Sequence, residues 1–62
     1  MNKKEILIVA RLSQYRAAGA DSGMIARGLS ALIRAARTRK SRDALMEYGP
    51  IFGVTNHPEF II

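Results

Sequence analysis

The sequence predicts an all-α fold: a small helical hairpin, a short third helix and an extended apolar C-terminal tail. Apolar residues recur at steps of three and four over two long segments, which is the spacing of one face of a helix. Residues that commonly cap or end helices flank both segments. Residues 50–62 are rich in apolar side chains but have no helical periodicity. We therefore divide the chain into a basic helical domain, residues 1–49, and a docking tail, residues 50–62.

The first helix is predicted from Lys3 to about Ala18. Asn2 is a favourable N-cap, and Glu5 stands three residues later, where a capping box has its acidic residue. Gly19 is well placed to end the helix. The short apolar run over residues 6–9 is also compatible with a β-strand, because periodicity does not distinguish the two over so few residues.

This helix has two apolar faces. One contains Ile8, Leu12 and Tyr15, and the second, flatter face contains Ile6, Ala10, Ser13 and Ala17. A helix that is apolar on two sides needs two neighbours. We expect the rest of the chain to cover the first face, and a second copy or a larger protein to cover the second.

The second helix is predicted over residues 23–40, with Asp21 or Ser22 as its cap. Its buried stripe is formed by Ile25, Leu29, Leu32 and Ala36. A second stripe, on nearly the opposite side, contains Arg27, Ser30, Arg34 and Arg37. Gly28 lies between the stripes and indicates a close helix crossing, because a glycine inside a helix otherwise costs about 1 kcal/mol relative to alanine.

A short third helix is predicted over residues 42–48, with Ser41 as its cap and Gly49-Pro50 as its end. Proline fixes its own backbone angle and disfavours helix in the residue before it, so Pro50 and Pro58 should keep the tail extended. The tail then presents apolar side chains either to the core or to another molecule. With the flat face of the first helix, these form a candidate protein interface: Ile6, Ala10, Ser13, Ala17, Ile51, Phe52, Phe60, Ile61 and Ile62.

The charge of the chain favours an anionic partner. Its 62 residues carry a formal net charge of +5. No acidic residue lies between Asp21 and Asp43, and arginine is well suited to phosphate because its planar fork binds two oxygens. The candidate nucleic-acid-binding residues are Arg27, Arg34, Arg37, Arg39, Lys40 and Arg42. The alternative is a solvated helix end at which cations complement the C-terminal dipole.

Catalysis and metal binding have little support in this sequence. There is no cysteine and a single histidine, His57, so multi-histidine and thiolate metal sites are excluded. For His57 and Glu59, neither a partner that would orient them for acid–base chemistry nor a pocket can be argued from a 13-residue tail. No phosphate loop or dinucleotide-binding motif is present. We therefore expect a non-enzymatic protein without a cofactor.

Two functions remain compatible with the sequence. The first is a basic protein that binds nucleic acid without sequence specificity, and the second is a protein-interaction or assembly subunit, such as a small phage or ribonucleoprotein accessory protein. A helix-turn-helix fits poorly, because its recognition helix would need Arg34 and Arg37 in the core. No segment approaches the roughly 20 apolar residues of a membrane span, although an amphipathic helix on a membrane surface is a further alternative. A chain this short buries only about 60% of the surface that its unfolded form exposes, so a monomer would be marginally stable. We therefore expect a homo-oligomer or a docked subunit, in the cytoplasm or in a virion.

Overall fold

A computed structural model of the protein describes residues 1–60 and leaves Ile61 and Ile62 undescribed. The described part contains four helices and no strand, which confirms the all-α class and shows that residues 6–9 are helical. The helices are α1 (Lys3–Ala17), α2 (Ser22–Ala35), α3 (Arg39–Met46) and α4 (Tyr48–Phe52). No helix within residues 1–60 is long and apolar enough to span a membrane.

Both ends of α1 form as the sequence predicts. The Asn2 side chain accepts a hydrogen bond from the Glu5 backbone N–H at 2.8 Å, and the Glu5 carboxylate accepts one from the Asn2 backbone N–H at 2.8 Å. This reciprocal capping box satisfies two N–H groups that have no partner inside the helix. At the other end Gly19 has a φ of 89° and Ala20 N–H donates to the Tyr15 carbonyl, which is the Schellman arrangement.

Helices α1 and α2 form the predicted hairpin and cross closely at Gly28. A Cβ atom at Gly28 would lie 2.9 Å from Leu12 Cδ2, closer than side chains normally approach. The missing side chain therefore lets Leu12 of α1 lie against the backbone of α2. The predicted buried stripe of α2 is confirmed, with Ile25, Leu29, Leu32 and Ala36 all in the core.

The boundary between the second and third helices differs from our prediction. Helix α2 ends at Ala35 rather than at residue 40, and Ala36 has an extended backbone with a ψ of 128°. Thr38, not Ser41, caps α3, because its hydroxyl oxygen accepts a hydrogen bond from the Ser41 backbone N–H at 3.1 Å. The third helix consequently begins three residues earlier than predicted.

We had expected the segment from Pro50 onward to be extended, but it begins within a helix and continues in turns. Tyr48–Phe52 forms α4, and the carbonyl of Phe52 accepts a hydrogen bond of 2.8 Å from Arg16 Nε. Pro50 is compatible with this helix because it is the third residue, where backbone N–H groups have no partner inside the helix. The following residues, up to Phe60, form turns that fold back over the helices.

The core lies around α2, which contacts each of the other helices. Besides the α2 stripe, it contains Val9 and Leu12 from α1 and Leu45 from α3. Phe52 and Val54, which we had assigned to a separate docking tail, are 5% and 1% exposed in the same core. Up to Phe60, the segment after residue 49 therefore packs with the helices.

Candidate functional site

Five basic residues surround the junction of α2 and α3, and we call this set the basic junction. Arg34 lies in the last turn of α2, Arg37 lies in the linker, and the other three lie in the first turn of α3. All five side chains are exposed. The basic junction consists of Arg34, Arg37, Arg39, Lys40 and Arg42.

Most of these positive charges are stabilised neither by an ion pair within residues 1–60 nor by a helix dipole. Within residues 1–60, the only ion pair joins Arg27 and Glu59, so the basic junction is not neutralised there. Asp43 and Glu47, the acidic residues nearest in sequence, form no ion pair in that range. Because α3 begins at residue 39, three of the cations lie at the positive end of its dipole, where a cation is disfavoured. Only Arg34, at the end of α2, lies where the dipole favours a cation.

The predicted stripe forms in part, because Arg27, Ser30 and Arg34 line one cleft of about 240 Å³ together with Glu59. Arg37 lies beyond the end of α2, and Ser30 is 2% exposed, with its hydroxyl donating to the Glu59 carbonyl at 3.4 Å. Arg27 Nη1 is 3.3 Å from a carboxylate oxygen of Glu59. The chain around Glu59 thus covers this side of α2, and its carboxylate partly neutralises Arg27. Arg27 is therefore at the edge of the candidate site.

Lys4 is a basic residue near the junction that our prediction from the sequence missed. Lys4 and Arg37 line one cleft of about 420 Å³ between the start of α1 and the end of α2. Leu32 and Ala35 contribute apolar surface to it, while the Glu5 carboxylate is already engaged by the Asn2 N–H. The signal was present in the sequence, because an antiparallel hairpin brings the beginning of its first helix to the end of its second.

The flat face of α1 is exposed, as expected of an interface. Ile6 is 54% exposed, and Ala10, Ser13 and Ala17 are exposed beside it. Leu7, which we had not assigned to either face of the helix, is 59% exposed.

The tail residues of the candidate interface are divided between core and surface. Ile51 is 62% exposed, whereas Phe52 is a core residue of this chain and is not available to a partner. Phe60 is half-buried against Gly49, where a Cβ atom would lie 3.1 Å from its ring. The proposed roles of Ile61 and Ile62 concern residues outside the described part of the chain.

His57 has a structural contact in the turn that follows α4. Its Nδ1 atom accepts a hydrogen bond of 3.0 Å from the Glu59 backbone N–H. No group of three or more histidine, aspartate or glutamate side chains within residues 1–60 is arranged to hold a metal ion. The hydrogen bond between His57 and Glu59 stabilises the turn that positions Glu59 next to Arg27.

Comparisons of the chain with protein-family models, with curated proteins and with solved structures found no match.

Proposed function

We propose that the protein binds nucleic acid through the basic junction, without sequence specificity. The observation that carries this proposal is the concentration of five exposed cations at one helix junction, none of them in an ion pair within residues 1–60 and three of them at a helix end that disfavours cations. Charges that do not stabilise the fold are free to bind a ligand. A polyanion relieves their mutual repulsion and the unfavourable dipole at the same time.

The residue types favour phosphate over a carboxylate surface. Four of the five cations are arginines, whose guanidinium groups bind phosphate oxygens in pairs. The two N-terminal backbone N–H groups of α3, at Arg39 and Lys40, also lack partners within the helix and add positive potential at the same place. Contacts of this kind position a nucleic acid backbone but do not read its sequence.

The test compares two single variants with the same charge change. We expect Arg39→Gln to weaken binding to a short duplex about eightfold at about 0.1 M salt, because one phosphate contact is lost. Arg11→Gln is the matched control, since Arg11 is exposed on α1, away from the junction, and makes no ion pair within residues 1–60. Fluorescence anisotropy with two duplexes of unrelated sequence measures both effects.

The control should bind within about twofold of the parent chain, and both duplexes should bind equally well. Circular dichroism verifies that the variants are folded. Equal losses from Arg39→Gln and Arg11→Gln would show that net charge alone drives binding. Absence of binding at low salt would refute the proposed function.

A second candidate function is a protein-interaction subunit. Its supporting observation is the exposure of Ile6 and Leu7 on a helix face that no other part of residues 1–60 covers. In that case the cations would contribute to solubility and to the rate of encounter rather than to a specific contact. The anisotropy experiment separates the two functions, because this alternative predicts no saturable binding to nucleic acid.

A further inference from the structure

Beyond its first turn, which presents Lys3 on the same side, α1 carries a continuous uncharged surface that we call the α1 outer face. At 3.6 residues per turn, its six residues occupy about a third of the helix circumference. All six are exposed, and the opposite side of α1 packs against α2. The α1 outer face consists of Ile6, Leu7, Ala10, Ser13, Gln14 and Ala17.

The shape of this face differs between its two halves. Its N-terminal half carries the bulky Ile6 and Leu7, which are 54% and 59% exposed. Its C-terminal half carries mostly small side chains, at Ala10, Ser13 and Ala17. Bulky side chains at one end and a shallow surface at the other make the face complementary to itself when two copies run in opposite directions.

We propose that the α1 outer face is the interface of an antiparallel, two-fold symmetric homodimer. With the two-fold axis at Ala10, Ile6 of one copy enters the hole formed by four residues of the second copy, and the reverse contact is identical. The small side chains let the helices approach closely enough for Ile6 to be enclosed. The four residues of that hole are Ala10, Ser13, Gln14 and Ala17.

The lysines in the first turn of α1 favour the antiparallel direction. A parallel pair would place Lys3 and Lys4 beside the same residues of the second copy, and α1 has no exposed acidic residue to offset them. In the antiparallel pair the two Lys3 positions are about 21 Å apart at 1.5 Å per residue. Each lysine then lies near the carbonyl end of the other α1, where the helix dipole favours a cation. Arg16, in that last turn, is directed to the carbonyl of Phe52.

The dimer is small and reversible, and it is independent of the basic junction. A pair of 15-residue helices buries less than the roughly 800 Å² per partner of a standard interface, so we expect weak association that depends on protein concentration. Each chain also brings a net charge of +5, and these charges repel. Association should therefore strengthen when salt rises from about 0.1 M to about 1 M, as the screening length falls from about 10 Å to about 3 Å.

Sedimentation equilibrium of the whole chain, without nucleic acid, tests this interface. Ala10→Arg places two like charges at the two-fold axis and should weaken association at least tenfold. Ile6→Gln should weaken it severalfold. Met46→Gln is the control, since Met46 is an exposed apolar residue on α3, outside the α1 outer face, and its replacement should have no effect.

All three substitutions are at exposed positions, and circular dichroism verifies that the helices remain. The dimer is overturned if the parent chain sediments as a monomer at concentrations up to about 1 mM. It is also overturned if Met46→Gln weakens association more than Ile6→Gln does, because a different face would then form the contact. Association that weakens with salt would equally contradict an apolar interface between two cationic chains.

Discussion

At the crossing of α1 and α2, the absence of one methyl group determines how closely two helices approach. Gly28 costs the helix about 1 kcal/mol of intrinsic stability relative to alanine. It is nevertheless present where a Cβ atom would lie 2.9 Å from Leu12 Cδ2. Leu12 is itself buried, so it has little room to move away. We infer that close packing of α1 on α2 outweighs the lost helix propensity.

This balance predicts the effect of Gly28→Ala. Overpacking a core costs about 1–3 kcal/mol, which exceeds the propensity gain of up to about 1 kcal/mol. We therefore expect Gly28→Ala to lower the free energy of unfolding by up to about 2 kcal/mol in urea denaturation. In a Leu12→Val background the same substitution should be tolerated better, because the shorter side chain removes the contact. Stabilisation by Gly28→Ala that is independent of residue 12 would show that the crossing is not close.

Signals that act over a few residues could be read from the sequence. The capping pair of Asn2 and Glu5 and the turn at Gly19 each depend on neighbours within five residues. The ion pair of Arg27 with Glu59 joins positions 32 residues apart and could not be predicted, because it depends on the path of the chain after α4. The sequence therefore placed Arg27 in the stripe with Ser30 and Arg34 but gave no sign of its acidic partner.

Among the elements, α3 and α4 show where local signals compete. Thr38 and Ser41 are both good N-caps, and the sequence alone does not rank them. The outcome depends on the core, because Ala36 and Leu45 are both buried and the chain must turn between them. Gly49-Pro50 is equally ambiguous, since the pair can end one helix or stand in the first turn of the next.

Helix α4 provides a direct test of how the segment after residue 49 contributes to stability. Ile51 and Phe52 are adjacent in this helix, yet they are 62% and 5% exposed. We expect Phe52→Ala to cost about 3–5 kcal/mol, because a large buried side chain is removed. That cost is comparable with the whole stability of a chain this short, about 3–9 kcal/mol. Ile51→Ala should change stability by less than about 0.5 kcal/mol.

Thermal unfolding followed by circular dichroism measures both variants. The expected result is a lost or much lowered transition for Phe52→Ala and an unchanged transition for Ile51→Ala. Similar transitions for the two variants would mean that α4 lies on the surface without packing into the core. The sequence could not show which of these two residues is buried. That assignment needs the helical periodicity of α4, and the sequence did not predict this helix.

For the whole molecule, the sequence predicted the helical class and the buried stripe of α2, but not the arrangement of the charged surface. The antiparallel hairpin brings Lys4 and Arg37 to one cleft, although they are far apart in the chain. The early start of α3 gathers three cations at one helix end. The molecule therefore combines a basic junction that forms no ion pair within residues 1–60 with a separate uncharged face on α1.

These two surfaces should respond to salt in opposite directions. Binding of nucleic acid through the basic junction releases counterions and weakens as salt rises. Contact between two α1 outer faces brings like net charges together and strengthens as salt rises. Salt dependence therefore assigns an observed interaction to one surface or the other without any substitution.

The slope of log affinity against log salt for the parent chain and a short duplex tests the central proposal most directly. Each phosphate neutralised contributes about −0.9, so five contacts through the basic junction predict a slope of about −4.5. The affinity itself should be that of non-specific binding, with a dissociation constant of about 10⁻⁴ to 10⁻⁶ M at physiological salt. A slope close to zero, or no binding at low salt, would contradict the account.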